Sequence, residues 1–473
     1  MLILAAKADW INLAYLGAAI CFIFGLKMLS KVQTAQRGNL VSATGMLIAC
    51  VVTFFHMTGG TAISLVWIAI AMAIGGGTGL WLAIKVPMTG MPQMVGLLNG
   101  FGGIASLLVA IGAYARIPTG GYEQLAGAFT GSTGLAVLVG GVTFTGSLVA
   151  FGKLQGLKIT PSQPVQFVGQ NLAIVGLILL SLILTVLLVL NPAWGWTLII
   201  STLAALALGI LLVIGIGGAD MPVVISLLNS YSGIAASMAG FVLSNELLII
   251  TGALVGASGL ILTNIMCKAM NRSLMNVLFG GVGAPVASGG GGDGPQGEAR
   301  SVTPEDVAIQ LDAAGLVIVV PGYGMAVAQA QHAVAELARL LEDRGITVKY
   351  AIHPVAGRMP GHMNVLLAEA NVPYESMLDL EGANAEFEQA GVALVIGAND
   401  VTNPAARHDK TSPLYGMPIL DVDKARSVVV IKRSMNPGFA GVENELYFLP
   451  NCGMLFGDGK KMVQALVNEL KES

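Results

Sequence analysis

Charge is what this chain has least of. Of its 473 residues only 11% are charged while 55% are hydrophobic, a balance that excludes an ordinary soluble protein. The shortage is uneven. Residues 1–275 contain four acids, Asp9, Glu123, Asp220 and Glu246, beside ten basic residues, whereas the remainder holds 23 acidic and 14 basic ones. The two parts therefore carry formal charges of +6 and −9. An acidic C-terminal part has no basic stripe to follow a phosphate backbone, which argues against a nucleic-acid partner. Cysteine is as sparse: Cys21, Cys50 and Cys267 lie in apolar segments and Cys452 stands alone, so no disulfide framework is expected. The opening residues MLILAAKADW lack a basic region before the apolar run and a small-residue cleavage site after it. No removable signal peptide is expected. There is no nucleophile with a paired base and no carboxylate dyad. His353 and His362 stand nine apart without a third clustered ligand, so no metal site is expected.

What is present first is apolar length. A membrane-crossing helix needs roughly 20 mostly apolar residues, and nine segments qualify, at about 10–29, 40–57, 62–84, 91–115, 125–151, 172–190, 196–215, 221–243 and 246–267. Their charges sit almost wholly in the connections. With the C-terminus inside, the inner connections hold Lys27, Lys31, Arg37, Lys85, Lys153, Lys158, Lys268 and Arg272, and the outer side holds Lys7 and Arg116. That excess favours a cytoplasmic C-terminal part.

An internal repeat follows. MPQMVGLLNGFGGIA from Met91 and MPVVISLLNSYSGIA from Met221 match at 8 of 15 positions. Both open a span at the inner face, so the repeat is parallel. Asn99 and Asn229 then lie about 12 Å into the span. They are either a polar pathway or amides that hydrogen-bond neighbouring helices. An amide cannot titrate, so these residues could hold water or relay a proton but not store one. Ser147 in VTFTGSLVAFGKL could line the same path or bond back to its own helix. Asp220 and Glu246 stand at span ends.

After Arg272 a Gly-rich stretch reads as a flexible tether. The expected organisation is a membrane domain at 1–275, a linker at 276–302 and an α/β domain at 303–473. In TPEDVA, Thr303 suits a helix N-cap and Pro304 the first helical position. Short apolar runs, GLVIVV, TVKYAI, VALVIG, PILDV, SVVVIK and CGMLFG, alternate with helix-like segments such as AVAQAQHAVAELARLLEDRG. The expected fold is thus a polytopic all-α membrane domain followed by a Rossmann-like parallel sheet covered on both faces.

Ligands bind such sheets at the carboxyl ends of the strands. There the sequence offers Gly322, Tyr323, Gly324, Met325 and Val327, a glycine turn between strand and helix that suits a pyrophosphate. The second strand ends at His353 with no acid for a ribose 2′-hydroxyl, which disfavours NAD. Lys432, Arg433 and Ser434 close a later strand as either a 2′-phosphate site or a solvated basic pair. Gly438 and Gly441 follow in a loop suited to lie over a ligand. Asn399, Asp400 and Asn403 could meet ribose hydroxyls or simply form an Asx turn before Pro404. Arg358 could reach a pyrophosphate. Hydride passage between two nicotinamides needs no protein acid or base, only alignment of the rings.

These pieces closely resemble the beta subunits of bacterial proton-translocating NAD(P)+ transhydrogenases. The likeness runs through CFIFGLKMLSK, VTFTGSLVAFGKL, GGADMPVVISLLNSYSG, LLIITGALVGASG, IMCKAMNRS, PGYGMAVAQAQ, HPVAGRMPGHMNVLLAEANVPY, GANDVTNPAA and KRSMNPGFAGVEN. The resemblance implies that NADP(H) binds the soluble part, reversed relative to a standard Rossmann site. Gly322, Tyr323, Gly324 and Val327 would line the pyrophosphate with Arg358 nearby, and Lys432, Arg433 and Ser434 would hold the 2′-phosphate. Asn399, Asp400 and Asp458 would contact the nucleotide beneath a lid from Asn436 to Asn444. NAD(H) would sit on a partner alpha subunit, of one or two chains, in a complex with two copies of each half in the bacterial inner membrane. Asp220, Asn229 and Ser147 match positions tied to proton passage. The sequence departs from the family at Asn99, where some members carry a histidine, and at Phe439, often a tyrosine. A titrating group on the alpha partner would answer the first departure. The alternative is a membrane transporter that senses NADPH without redox turnover.

Overall fold

The computed structural model describes residues 2–29, 32–56, 62–118, 121–122, 127–161, 164–279, 298–412, 414–436 and 442–472. The chain divides into two compact units, one of Met1–Phe151, Phe167–Leu212 and Leu227–Leu260, the other of Gly152–Gln166, Val213–Ser226 and Ile261–Ser473.

Nine long helices open the chain: α1 (Leu2–Leu29), α2 (Val32–His56), α3 (Ala62–Lys85), α4 (Met91–Ala115), α5 (Gly127–Gln155), α6 (Gln170–Leu190), α7 (Trp196–Ile214), α8 (Met221–Leu243) and α9 (Glu246–Ala269). Each is long and apolar enough to cross a membrane, and among the described residues there are nine such helices. They follow the nine apolar runs closely. The largest differences are at α1, which begins at Leu2, and at α2, which begins at Val32, each well before its apolar run. The polar first turns of α2 are held against α1, where Thr34 Oγ1 donates to the Met28 carbonyl at 2.6 Å. A Cβ on Gly38 would stand 2.9 Å from the Gly25 carbonyl oxygen, so the helices touch backbone to backbone.

That device recurs in the first unit. Lipid is as apolar as leucine, so helices in a membrane choose partners by close fit and polar contacts rather than by hydrophobicity. At the α4–α5 crossing, a Cβ on Gly103 would lie 2.7 Å from the Gly140 oxygen, and one on Gly140 would lie 2.6 Å from the Gly103 oxygen. Between α8 and α9, Gly233, Gly252 and Gly256 meet in the same way, and Ser230 Oγ donates to the Gly256 carbonyl at 2.5 Å. The two repeats also touch: a Cβ on Gly102 of α4 would stand 2.3 Å from Ser232 Oγ of α8. Gly102 and Ser232 are the twelfth residues of their respective repeats, so equivalent positions face one another. Asn99 and Asn229 precede them by three residues, one turn earlier on the same helix faces.

In the second unit, α10 (Leu274–Phe279) and α11 (Pro304–Asp312) precede β1 (Leu316–Pro321), α12 (Tyr323–Ala328), α13 (Gln331–Asp343), β2 (Thr347–Ala351), α14 (His362–Glu369), β3 (Met377–Leu378), α15 (Leu380–Glu386), β4 (Val392–Ile396), α16 (Ala405–His408), β5 (Ser427–Lys432), β6 (Cys452–Phe456) and α17 (Gly459–Glu472). Thr303 caps α11 as its sequence suggests, accepting from the Asp306 N–H at 3.2 Å while Asp306 Oδ2 accepts from the Thr303 N–H.

The six strands pair in parallel in the order β3-β2-β1-β4-β5-β6. Alternate residues of the central strands feed two cores. Val317, Val319, Leu394, Ile396, Val429 and Ile431 pack with α11, α13 and α17; Ile318, Val320, Ala393, Val395, Val428 and Val430 pack with Phe387, Leu420 and Tyr447. That is why these runs are apolar throughout.

One expected strand is absent and another replaces it. PILDV forms no ladder: the Ile419 carbonyl accepts from Asn384 Nδ2, the Asp421 N–H goes to Asn384 Oδ1, and the Leu420 N–H goes to the Val401 carbonyl. A side chain satisfies this buried segment, so it needs no neighbouring strand. The third strand is instead the two-residue β3, paired with Tyr350 and Ala351.

The α4–α5 crossing yields a direct test. Gly140→Ala puts a methyl where backbone already stands and is expected to destabilise the helices by about 1–3 kcal/mol, read as a lower thermal midpoint in detergent. Gly112→Ala, on the same bundle but with open space at its Cβ, should leave the midpoint unchanged.

Candidate functional site

β1 and β4 lie side by side, but the chain leaves β1 towards β2 and leaves β4 towards β5. Reversal at that point opens a crevice above the carboxyl ends of the two strands. The crevice is held by backbone. The Gly322 N–H donates to the Ile396 carbonyl and the Gly324 N–H to the Gly397 carbonyl, each at 2.9 Å. A Cβ on Gly322 would lie 2.4 Å from Ala398 Cα, and one on Gly324 would lie 2.6 Å from Gly397 Cα. Gly397 itself has φ +66°. Glycine is thus required here by the crossing of two turns, before any ligand is considered. The helix that follows is short. α12 ends where Gln329 turns left-handed at φ 50°, and α13 starts at Gln331, with Ala330 wholly buried between them. Local propensity favours one continuous helix; the buried joint breaks it.

A cavity of about 910 Å³ opens above this crossing, within the size range of small-molecule sites. Gly322, Tyr323, Gly324 and Val327 line it from the first turn, Asn399 and Asp400 from the end of β4, and Lys432, Arg433 and Ser434 from the end of β5. Asp220 and Arg272, also of the second unit, line it as well. They form a two-point ion pair, with Arg272 Nη1 3.1 and 3.0 Å from the two Asp220 oxygens. Burial pushes the Asp220 carboxyl above its ordinary pKa, and Arg272 opposes that shift.

At the end of β5 the three polar residues differ. Lys432 is half-buried, and its ammonium donates to the Asn436 carbonyl at 2.6 Å, Asn399 Oδ1 at 3.1 Å and Tyr447 Oη at 3.3 Å. Desolvation lowers its pKa, while Asp400 acts to raise it. Arg433 and Ser434 are exposed. Arg433 stands 3.7 Å from Asp458, just before α17. A chain with cations and a hydroxyl at this strand end, beside a glycine crossing, has the donor set for a phosphorylated dinucleotide.

The sequence as a whole names its relatives. Residues 11–469 match the family model for the NAD(P) transhydrogenase beta subunit. Two curated proteins named NAD(P) transhydrogenase subunit beta, one from Rhodospirillum rubrum and one from a strain of that species, are each 51% identical over 462 residues, covering 97% of this chain and 98% of the relative.

The chain belongs to the NAD(P) transhydrogenase beta subunit family.

The family's name implies an alpha partner and the use of NAD(H) and NADP(H), and the nine apolar helices make this member a membrane protein. Within it, the expected site residues fall into four groups. Gly322, Tyr323, Gly324, Val327, Asn399, Asp400, Lys432, Arg433 and Ser434 come together around the cavity. Three others stand just behind it. The Met325 side chain is fully buried in the core under the turn. Arg358 places its guanidinium 4.2 Å from the centre of the Tyr323 ring and donates to the Leu154 carbonyl at 2.9 Å. Asp458 stands beside Arg433, 3.7 Å away. Gly438, Phe439 and Gly441 lie outside the described residues. Of the helix residues, Asp220 reaches the cavity. Asn99 and Ser147 are buried and Asn229 is half-buried. Ser147 Oγ makes no bond back to its own helix and has no hydrogen-bond partner among the described residues; its Cβ faces Gly100 of α4.

Asn403 proves structural. It is wholly buried, its Oδ1 accepts from the Ala405 N–H at 3.1 Å, and its Nδ2 donates to the Glu443 carbonyl at 3.0 Å. Tyr447 is a neighbour of these residues that the sequence hides, because an aromatic in ENELYFLP reads as core. Core it is, at 2% exposure, yet its hydroxyl reaches both Lys432 and Asn399.

The two histidines that flank the Arg358 loop are neutral clamps. His353 Nδ1 accepts from the Val355 N–H at 3.3 Å, so its Nε2 carries the proton and donates to the Pro418 carbonyl at 2.7 Å. His362 Nδ1 accepts from the Arg358 N–H at 3.1 Å. Burial pushes both down to about 4, with Arg358 adding to the shift at His362. In the unfolded chain each would titrate near its ordinary value of 6.5. Between those values the unfolded state binds more protons, so stability falls as pH drops from 6.5 towards 4. The expected loss is up to about 3 kcal/mol per histidine, measured as the pH dependence of the denaturation midpoint, and His353→Asn should flatten that dependence.

Proposed function

We propose that this beta subunit holds NADP(H) at the β1–β4 crevice and takes part in direct hydride transfer with NAD(H) held by its alpha partner, coupled to proton passage through the helices. The observation that carries this reading is the glycine crossing set beside Lys432, Arg433 and Ser434, in a member of the transhydrogenase family. Tyr323 and the glycine backbone would meet the pyrophosphate, with Arg358 holding the Tyr323 ring in place. Arg433 and Ser434, exposed at the strand end, would meet the 2′-phosphate, with Lys432 behind them. Asn399 and Asp400 would lie against the sugar. Absence of an acid at the end of β2 favours the phosphorylated nucleotide. The nucleotide itself supplies the redox chemistry, a hydride passing directly between nicotinamides. Neutral histidines and a lysine held by hydrogen bonds leave the protein to bind, orient and exclude water.

In this reading residues 1–275 form the proton-translocating part, 276–302 the tether and 303–473 the nucleotide domain. Asn99, Ser147, Asp220 and Asn229 belong to proton passage or its coupling, with Asn99 and Asn229 carrying water rather than titrating. The excess of basic residues puts the nucleotide domain on the cytoplasmic side. The assembly has two alpha and two beta copies.

The test uses the full chain with its alpha partner in detergent, following hydride transfer from NADPH to a spectrally distinct NAD analogue. Turnover should require both subunits, and Arg433→Ala should raise the KM for NADPH roughly 10- to 100-fold. Tight NADPH binding without transfer would favour an NADPH-sensing transporter, and no binding would overturn the assignment of the site.

A further inference from the structure

Lys432 is more buried than its neighbour Arg433, and its position is not of its own making. A lysine is a compact, strongly hydrated charge on a flexible stem, so half-burying it at a strand end requires acceptors that hold it. All three of its N–H donors face protein oxygens, those of Asn436, Asn399 and Tyr447. Two of these acceptors are tied together, since the Tyr447 hydroxyl also hydrogen-bonds Asn399 Oδ1. The amide is oriented from its other end, where Asn399 Nδ2 donates to Asp400 Oδ1 at 2.9 Å. Beneath them the Tyr447 ring stands 4.8 Å from the ammonium, close enough for a cation–π attraction. Burial holds the phenol neutral. One buried hydroxyl thus fixes a cation from β5 and an amide from the end of β4.

We propose that Tyr447 is a positioning residue that sets the preference of this chain for a dinucleotide bearing a 2′-phosphate over one lacking it, by holding the Lys432 ammonium at the end of β5 and the Asn399 amide at the end of β4. The proposal rests on the reading of Lys432, Arg433 and Ser434 as the 2′-phosphate cluster. Tyr447 is not among the residues lining the cavity. It acts through Lys432 and Asn399, and its hydroxyl is separable from its packing: a phenylalanine keeps the ring in the core and under the ammonium, and removes only the hydrogen bonds.

The experiment measures dissociation constants for NADPH and NADH on the full-length protein with its partner, in wild type, Tyr447→Phe, Lys432→Met and the double variant. Tyr447→Phe should weaken NADPH binding about tenfold, the scale of one hydrogen bond to a charged group, and leave NADH binding unchanged. In the Lys432→Met background the same change should cost no further selectivity, the signature of two residues acting as one. Equal weakening of both nucleotides, an unchanged ratio, or a Tyr447→Phe protein that does not fold would each overturn the role of Tyr447 while leaving the 2′-phosphate site standing. A wild-type protein with no preference for NADPH would overturn that site itself, and the proposal with it.

Discussion

The sheet domain depends on two turns meeting where no side chain fits between them. Gly322 and Gly324 follow β1, Gly397 and Ala398 follow β4, and hydrogen bonds of 2.9 Å join the two turns directly. This contact sets the spacing of the crevice, and the parallel register then brings the ends of β4 and β5 beside it, with Ile396 opposite Ile431. Asn399, Asp400, Lys432, Arg433 and Ser434 gather there because the strands that carry them end at the same level. The usual account of such glycines is that they admit a pyrophosphate. Here they first admit each other.

A related constraint organises the helices. Burying apolar surface gives a helix no preference among partners in lipid, so selectivity comes from backbone approach at glycine and from serine or threonine bonds to a neighbour's carbonyl. Gly103 against Gly140, and Ser230 donating to Gly256, are instances. The repeats in α4 and α8 use the same economy, meeting at Gly102 and Ser232. Their matched asparagines precede the contact by one turn, Asn99 buried and Asn229 half-buried.

The polar groups near the crevice are held by hydrogen bonds. His353 and His362 are buried and neutral, each accepting a backbone N–H at Nδ1. Their hydrogen bonds shape the loop that carries Arg358. Lys432 is fully engaged with oxygens. Burial and backbone contacts thus keep the two histidines in one protonation state and one position. If proton passage through the helices alters how the nucleotide is held, linkage requires the bound nucleotide to bias the helices in return.

By itself the sequence determined the features that rest on composition and short-range pattern. The nine helices follow from apolar length, the capped start of α11 from Thr303, Pro304 and Asp306, and five of the six strands from short apolar runs bounded by turns. The cluster at the end of β5 and the glycine turn after β1 were legible for the same reason, since each is a contiguous motif. Only the tertiary structure decided what depends on residues far apart in the chain. PILDV lost its place in the sheet because Asn384 already satisfies its backbone, and α12 parted from α13 because Ala330 is drawn into the core. The Tyr447 hydroxyl came to lie against Asn399 across 48 residues. Local pattern records which face of an element is apolar; it carries no record of which distant polar atom will lie within hydrogen-bond distance once the strands are in order.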